Sequence, residues 1–359
     1  MPNTRRPMTR VLFLLLLVLS LAACSREPQA PEAVRLVLIT QLTGEYADIG
    51  AVGRDATVLA CERINALGGV LTRSGRRPLD LVVIDKGTSV EGGLEAVRRA
   101  VFLEQAVLIL GGFLSRDAIP MGRVAEELRT PFISPGSTHP ETTRGRRYVW
   151  RMPFTDTFQG RVLAESFRQV YQEMGGAITA FEAYVTGDAS WTAQLTRIAQ
   201  SRPDVLFLPN YHDEVPGQAR QARALGITAT LLGGDGWEML SGPGLEALDG
   251  SFFSSTWAPE MQAPGSREFV AAYLAAYQRE PNSTACLAYD AVLLAAEALA
   301  RAQDSGPEAL RQALSEVEVL DGAGGVYRYR GGGDPEKSAA ILRVADGRAV
   351  FYKEMTPGQ

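Results

Sequence analysis

The sequence contains few of the residues on which catalytic and metal sites are most often built. Its 359 residues include only 2 histidines and 3 cysteines, and no CxxC, HExxH, GxSxG, SxxK or GxGxxG motif occurs. His139 and His212 are far apart and have no neighbours at the spacing of metal ligands. These absences disfavour an enzyme, and we predict neither a cofactor nor a metal ion.

A basic cluster is also missing. The net charge is −5, and three of the 36 basic residues are the arginines at positions 5, 6 and 10. Without these three arginines, the chain has 33 basic and 41 acidic residues, which is a net charge of −8. This balance makes nucleic acid an unexpected partner. Cys61 and Cys286 are too far apart in sequence to indicate a disulfide framework, and we expect both to be small buried side chains.

The first 23 residues are typical of a secretory leader. Arginines at 5, 6 and 10 precede residues 11–23, in which Ser20 is the only polar residue. Thirteen helical residues rise about 20 Å, less than the roughly 30 Å of a bilayer core. A charged start, a short apolar middle and small residues at the end therefore predict a signal peptide over residues 1–23 rather than a membrane span.

The residues that follow the leader indicate a lipid anchor. Leu-Ala-Ala-Cys-Ser at 21–25 resembles a bacterial lipobox, which implies that Cys24 becomes the acylated first residue of the mature chain. The alternative is an ordinary thiol near an ordinary cleavage site. Residues 24–33 are polar and rich in proline, so we predict a tether there. The expected location is the periplasmic side of the cell envelope, with attachment to a membrane through Cys24.

From residue 34 onward, short apolar runs alternate with helical patterns. The length and the 46% of hydrophobic residues fit a globular chain of two domains. Such alternation predicts parallel sheets covered by helices on both faces, an α/β doubly wound architecture. The predicted strands of the first series are 34–40, 79–85, 107–110 and 131–134, with helices over 51–66, 89–104 and 115–128. The predicted strands of the second series are 177–184, 205–208, 229–232 and 251–256, with helices over 191–200, 216–225 and 266–278. A long helix over 283–302 and a strand pair around 340–344 and 349–352 follow.

Polar and glycine-rich residues gather where the predicted strands end. In open α/β sheets, ligands bind outside the carboxyl ends of the strands. The clusters lie at 41–50, 111–115 and 134–138 in the first series, and at 209–214 and 233–237 in the second. Taken singly they have simpler explanations, because Ser115 is a plausible helix N-cap and Asp235 with Gly236 a plausible turn. Together they predict a cleft between two lobes.

The clusters also divide by charge. Hydroxyl groups and a helix N-terminus in the first lobe suit a carboxylate, whereas Asp235 in the second lobe suits an ammonium group. Tyr211 and Trp237 add apolar faces. A small zwitterion with an apolar side chain is the ligand that this arrangement favours.

Several stretches resemble one known family. They are QLTGEYADIG, INALGGVL, LILGGFLSRDA, PFISPGSTHPETT, WRMPFTDTFQG, PDVLFLPNYHDE, LLGGDGW, EPNSTACLAYDA and GAGGVYRYRGGGD. In this order they look like the type I periplasmic binding proteins of the leucine/isoleucine/valine-binding family, across nearly all of residues 34–352. The resemblance implies that Ser115 and Thr138 hold a ligand carboxylate. It also implies that the Gly136 carbonyl and Asp235 hold the ammonium group, with Tyr211 beside the cleft.

One departure from the family concerns the second lobe. Residues 155–174 leave room for one continuous helix, where the family has a helix followed by a further strand and helix. About thirty residues are therefore missing, judged from the usual length of such a unit. We predict a second lobe that is one strand and one helix short. A second departure is the apolar rim that Tyr46 and Ile49 give to the first loop.

The expected domains are lobe 1 over 34–153 and 283–334, and lobe 2 over 154–282 and 335–359, joined by a hinge. The resemblance implies a substrate-binding lipoprotein that captures an amino acid, of branched-chain type or a related zwitterion, for an ABC importer. Its partners would be the permease and ATPase subunits. Two alternatives remain: a ligand sensor of a signalling system with the same fold, and a lipid-anchored hydrolase, which the missing motifs disfavour.

Overall fold

The structure, a computed structural model, describes residues 32–155, 177–184, 188–210, 212–238, 240, 243–261 and 263–356. The predicted leader, Cys24 and most of the predicted tether lie outside these residues. So do Tyr211 and nearly all of the helix predicted over 155–174.

The described elements alternate between strands and helices along most of the chain. The strands are β1 Val34–Thr40, β2 Val70–Thr72, β3 Gly75–Arg77, β4 Leu79–Asp85, β5 Leu108–Gly111, β6 Phe132–Ser134, β7 Val149–Arg151, β8 Val205–Leu208, β9 Thr230–Gly233, β10 Phe252–Ser255, β11 Val319–Gly322, β12 Gly325–Tyr329, β13 Pro335–Glu336, β14 Ala339–Ala345 and β15 Arg348–Met355. The helices are α1 Ala47–Ala66, α2 Val90–Phe102, α3 Ser115–Glu127, α4 Thr192–Gln200, α5 Val215–Ala224, α6 Pro243–Glu246, α7 Pro264–Tyr277, α8 Ser283–Arg301 and α9 Pro307–Ser315. Short 3-10 turns occupy Pro140–Thr142 and Asp235–Trp237.

The first sheet is entirely parallel, with strand order β4-β1-β5-β6-β7. Strand β1 shows why its run of apolar residues is continuous. Leu36 and Leu38 face a core that includes α1 and α8, while Val37 and Ile39 face a second core that includes α2 and α3. Both faces of the strand are covered, so alternation with polar residues is not needed. The predicted doubly wound first lobe is confirmed.

The second sheet has the order β15-β14-β10-β9-β8. Strands β8, β9 and β10 are parallel, and β14 joins β10 in the antiparallel sense. Leu208 and Leu231 of this sheet pack with Val215 and Ala219 of α5 in a separate core. The C-terminal strands therefore complete the sheet of the second lobe, and the α/β fold holds for both halves of the molecule.

The prediction of a strand over residues 177–184 is wrong. These residues form neither strand nor helix, and the Ile178 and Phe181 side chains are 55% and 91% exposed. In the described part of the chain, β8 is the edge of the second sheet. A strand needs a hydrogen-bonded neighbour. No described strand pairs with residues 177–184.

The chain passes between the lobes more than once. After β10 it leaves the second sheet, and Trp257 and Phe269 pack in the first core. Helix α7, assigned to lobe 2 in the sequence analysis, thus packs against lobe 1. The chain returns between β13, which pairs with β12, and β14 of the second sheet. These two passages lie at the hinge predicted between the lobes.

Helix α8 is the central element of the first core. The Asn282 side chain caps its start by accepting a hydrogen bond from the Ala285 amide at 3.0 Å. Its mean hydropathy of 1.4 and its 19 residues would suit a membrane span, but most of it is buried inside the fold. The helix is therefore apolar because protein surrounds it on most sides.

Candidate ligand-binding cleft

The hydroxyl groups predicted to bind a carboxylate belong to a chain of hydrogen bonds in the first lobe. The Ser137 hydroxyl donates to the Ser115 hydroxyl at 3.0 Å, and lies 2.6 Å from the Thr142 hydroxyl. Since Ser137 has one hydroxyl proton and gives it to Ser115, Thr142 must donate to Ser137. Ser115 accepts within this chain, and its own proton remains for an acceptor in the cleft.

The start of α3 leaves further donors near Ser115. Leu114 is the N-cap residue and makes no side-chain capping bond, so Ser115 is the first helical residue and not the cap. The first amide groups of a helix have no intrahelical acceptors, and they favour negative charge. The position of Ser115 at this end suits the carboxylate that sequence reasoning assigned to it.

Gly136 lies where two loops come close together. A side chain there would place its Cβ 2.3 Å from the Phe113 carbonyl oxygen, so glycine is required by space rather than by a left-handed backbone. Ser134 joins the same loops, because its hydroxyl donates to the Gly112 carbonyl at 2.7 Å and accepts from the Ser137 amide at 3.1 Å. Thr138 follows and is 8% exposed. The structure thus brings Ser115, Gly136 and Thr138 together.

An ion pair beneath this region was missed by sequence reasoning. The Lys86 ammonium, just after β4, lies 3.2 Å from an Asp117 carboxylate oxygen in α3, and both side chains are buried. Both residues line a cavity of about 20 Å³ at the strand ends, together with Gln41, Tyr46 and Phe113. A lysine directly after a strand was the available signal, but nothing in the sequence identified its partner 31 positions away.

In the second lobe, Asp235 begins a 3-10 turn directly after β9 and is partly exposed. The backbone at Asp235 and Gly236 therefore forms a turn, as the simpler explanation predicted. The turn leaves the Asp235 carboxylate at the end of the strand. The expectation that Trp237 offers an apolar face to the ligand is wrong. It is fully buried, its ring nitrogen donates to the Leu208 carbonyl at 3.0 Å, and a Cβ at Gly233 would overlap its ring. Trp237 anchors the turn and offers no face to a ligand.

The two sets of strand-end loops meet across the cleft. The rings of Tyr46, after β1, and His212, after β8, are edge to face with centroids 6.2 Å apart. The Arg116 guanidinium lies 4.6 Å from the centre of the Tyr46 ring, within range of a cation–π contact. Burial and then the charge of Glu45 raise the pKa of Tyr46, while Arg116 opposes the shift. The carboxyl ends of both sheets therefore face one another.

Two further expectations concern residues at this cleft. Tyr211 lies outside the described residues, so its predicted place beside the ligand stays a prediction. Among the described residues, no group of three or more histidine, cysteine, aspartate or glutamate side chains is arranged to hold a metal ion.

Comparison with known proteins identifies the family. A family model described as periplasmic binding protein matches residues 33–158 and 150–349. The chain belongs to the periplasmic binding protein family. Among curated relatives, a Leu/Ile/Val-binding protein from Rhizobium johnstonii is 27% identical over 92% of this chain and 96% of its own. A Leu/Ile/Val/Thr/Ala-binding protein from Pseudomonas aeruginosa is 24% identical over 85% and 88%.

Solved structures agree with this membership. A leucine-binding protein from Thermotoga maritima is 26% identical, covers 90% of this chain and 99% of its own, and has a TM-score of 0.79. The type I periplasmic binding fold predicted from the sequence is confirmed, and the family consists of solute-binding proteins rather than enzymes.

The comparisons also bear on the short second lobe. The two family-model matches meet at residues 150–158, directly before the segment where the sequence is short. The alignment with the Rhizobium protein has 364 positions, of which 92% of 359 residues, or about 330, belong to this chain. About 34 aligned positions therefore have no residue in this chain, and the loss of one strand and one helix from the second lobe stays a prediction.

Proposed function

We propose that this protein is the substrate-binding lipoprotein of an ABC importer and captures a branched-chain or related small amino acid. The observation that carries the proposal is the meeting of the two sets of strand-end loops at Tyr46 and His212. Hydroxyl donors lie on the first-lobe side of that junction and the Asp235 carboxylate on the second. An α-amino acid carries the two charges that these groups complement.

The capture follows from where each group is attached. Ser115 and the first amides of α3 receive the ligand carboxylate, with Thr138 beside them, and Asp235 receives the ammonium group with the Gly136 carbonyl. Because the two ends of the ligand bind to different lobes, the ligand stabilises the arrangement in which the lobes are close. Relatives named for leucine, isoleucine and valine binding make the aliphatic side chain the first choice.

Thermal unfolding with a matched panel of compounds tests this proposal. L-leucine at about 100 times its dissociation constant should stabilise the protein by about 2.7 kcal/mol, which is a rise of several degrees in Tm. Isocaproate lacks the ammonium group and isoamylamine lacks the carboxylate, so each should give a much smaller shift. No shift with any amino acid would contradict the proposal, and an equal shift with isocaproate would remove the role of Asp235.

The lipid anchor is a separate part of the proposal. Acylation of Cys24 would hold the protein at the membrane that contains the permease, and the proline-containing residues 24–33 would give the lobes freedom to reach it. Cells supplied with radiolabelled palmitate should label the wild-type protein and not the Cys24→Ala variant. Equal labelling of both proteins would contradict the anchor.

A further inference from the structure

Thr256 is held from two sides at the point where the chain leaves the second lobe. It follows β10, and the next residue, Trp257, is already packed in the first core. Its amide donates to a Glu238 carboxylate oxygen at 2.8 Å, and its carbonyl accepts a hydrogen bond from the Lys337 ammonium. Lys337 itself lies in the return passage between β13 and β14. Two passages of the hinge are thus joined at one residue, Thr256.

Glu238 connects Thr256 to the proposed binding site. It directly follows the 3-10 turn that begins with Asp235, and its amide donates to the Asp235 carbonyl at 3.0 Å. Its other carboxyl oxygen accepts a hydrogen bond from the hydroxyl of Ser283, the first residue of α8 in the first lobe. The Glu238 carboxyl group therefore contacts the hinge and the first lobe, while its backbone belongs to the second-lobe turn of Asp235.

The charges around Glu238 come from each of these segments. Asp235 lies on its own turn, and Lys337 faces it from the return passage. Lys337 is 1% exposed, lies 5.0 Å from the centre of the Tyr327 ring, and interacts with the buried Asp290 of α8. Burial and then Asp235 raise the pKa of Glu238 to about 7, against hydrogen bonds from Ser255, Ser283 and the Thr256 amide.

We propose that Glu238 is a positioning residue that fixes the Asp235 turn relative to the hinge and so couples ligand binding to the angle between the lobes. This inference rests on the proposed function for its ligand-binding part only. Glu238 does not bind the ligand itself. It acts by keeping Asp235 in register with Ser283 of the first lobe as the lobes move.

The first test uses the protein without ligand. A carboxyl group whose pKa is raised on folding stabilises the fold fully below its unfolded pKa of about 4.3, and that contribution is lost as the pH rises through about 7. The wild-type Tm should therefore fall between pH 5 and pH 8 by several degrees more than that of Glu238→Gln, which cannot ionise. The matched control is Glu280→Gln, which changes an exposed carboxylate shortly before α8. Its Tm should depend on pH in the same way as the wild-type Tm.

The second test measures coupling. Glu238→Ala and Ser283→Ala each remove one side of the bridge, and small-angle scattering of the unliganded protein should show a larger radius of gyration for both. Their affinity for L-leucine should fall about tenfold or more, with Glu238→Gln restoring most of it at pH 5 to 6. If Glu238→Ala does not fold, Ser283→Ala carries the test.

Two results would overturn the proposal. The first is that the Tm of Glu238→Gln depends on pH in the same way as the wild-type Tm. The second is that Ser283→Ala has the same radius of gyration as the wild type. Neither depends on leucine binding. A wild-type protein that binds no amino acid but passes both tests would refute the proposed function and leave the role of Glu238 at the hinge intact.

Discussion

The two lobes present their polar groups to the cleft in different ways. In the first lobe the donors rest on a complete five-stranded parallel sheet, and Ser134, Ser137 and Thr142 behind them are fully buried. In the second lobe Asp235 stands on a short turn, anchored by Trp237, beside a sheet whose described edge is the four-residue β8. The strand ends of the first lobe therefore carry a buried chain of hydrogen bonds, whereas the turn in the second lobe relies on a few anchoring contacts.

The largest loss of stability is expected when the buried ion pair of the first lobe is removed. Lys86→Met leaves the buried Asp117 without its charge partner, which should lower the free energy of unfolding by about 3–5 kcal/mol. Urea denaturation measures this loss. The control Arg98→Met changes an exposed cation on α2 and should stay within about 0.5 kcal/mol of wild type. Equal stability of the two variants would show that the first lobe does not depend on this pair.

The next effect removes the charge of the second lobe. Asp235→Asn keeps the shape of the side chain but takes away the partner of the ligand ammonium, so affinity for L-leucine should fall by about 2–5 kcal/mol, or thirtyfold and more. Asp204→Asn is the matched control, because Asp204 is exposed at the opposite, amino end of β8. Competition binding with labelled leucine distinguishes the two variants. An unchanged affinity in Asp235→Asn would show that the ligand ammonium group binds elsewhere.

A pair of serine variants sharpens the description of the first lobe. Ser115→Ala should weaken leucine binding about tenfold with little change in Tm, since its proton is the one left for the ligand. Ser137→Ala deprives Ser115 and the buried Thr142 of a partner, and should cost about 1–3 kcal/mol of stability. If both variants lost only stability, the hydroxyl chain would be structural and not part of a binding surface.

The smallest effect concerns the contact between the lobes. Tyr46→Ala and His212→Ala each remove an edge-to-face contact of about 0.5–1.5 kcal/mol, so each should weaken leucine binding a few-fold. The double variant should be no weaker than the worse single one, because both lose the same contact. Strictly additive losses would mean that the two rings act independently.

Much of the fold could be predicted because its signals are local. The apolar run of Val34–Thr40 and the helical period of 115–128 each depend on neighbouring residues, and both appear with bounds within a residue or so. Residues 177–184 also have a strand-like pattern, but a pattern does not supply a neighbouring strand. Trp237 was misjudged for a similar reason: its exposure depends on Gly233 leaving room for the ring.

The candidate site was located by the rule that ligands bind at strand ends, and this rule placed Ser115, Gly136 and Thr138 together. Contacts between distant parts of the chain were beyond it. Glu238 and Ser283 are 45 positions apart, and Lys337 and Thr256 are 81 positions apart. Their meeting depends on how the lobes are joined, and no spacing or composition in the sequence reports it.

Isothermal titration of the wild-type protein with L-leucine shows whether the cleft binds a small zwitterion. We expect saturable binding at one site per chain, with a negative heat-capacity change from burial of the aliphatic side chain. L-isoleucine and L-valine should compete for that site, and isocaproate should not. The absence of saturable heat from all three amino acids, with the protein folded at the same temperature, would contradict the claim that the cleft holds a small zwitterion.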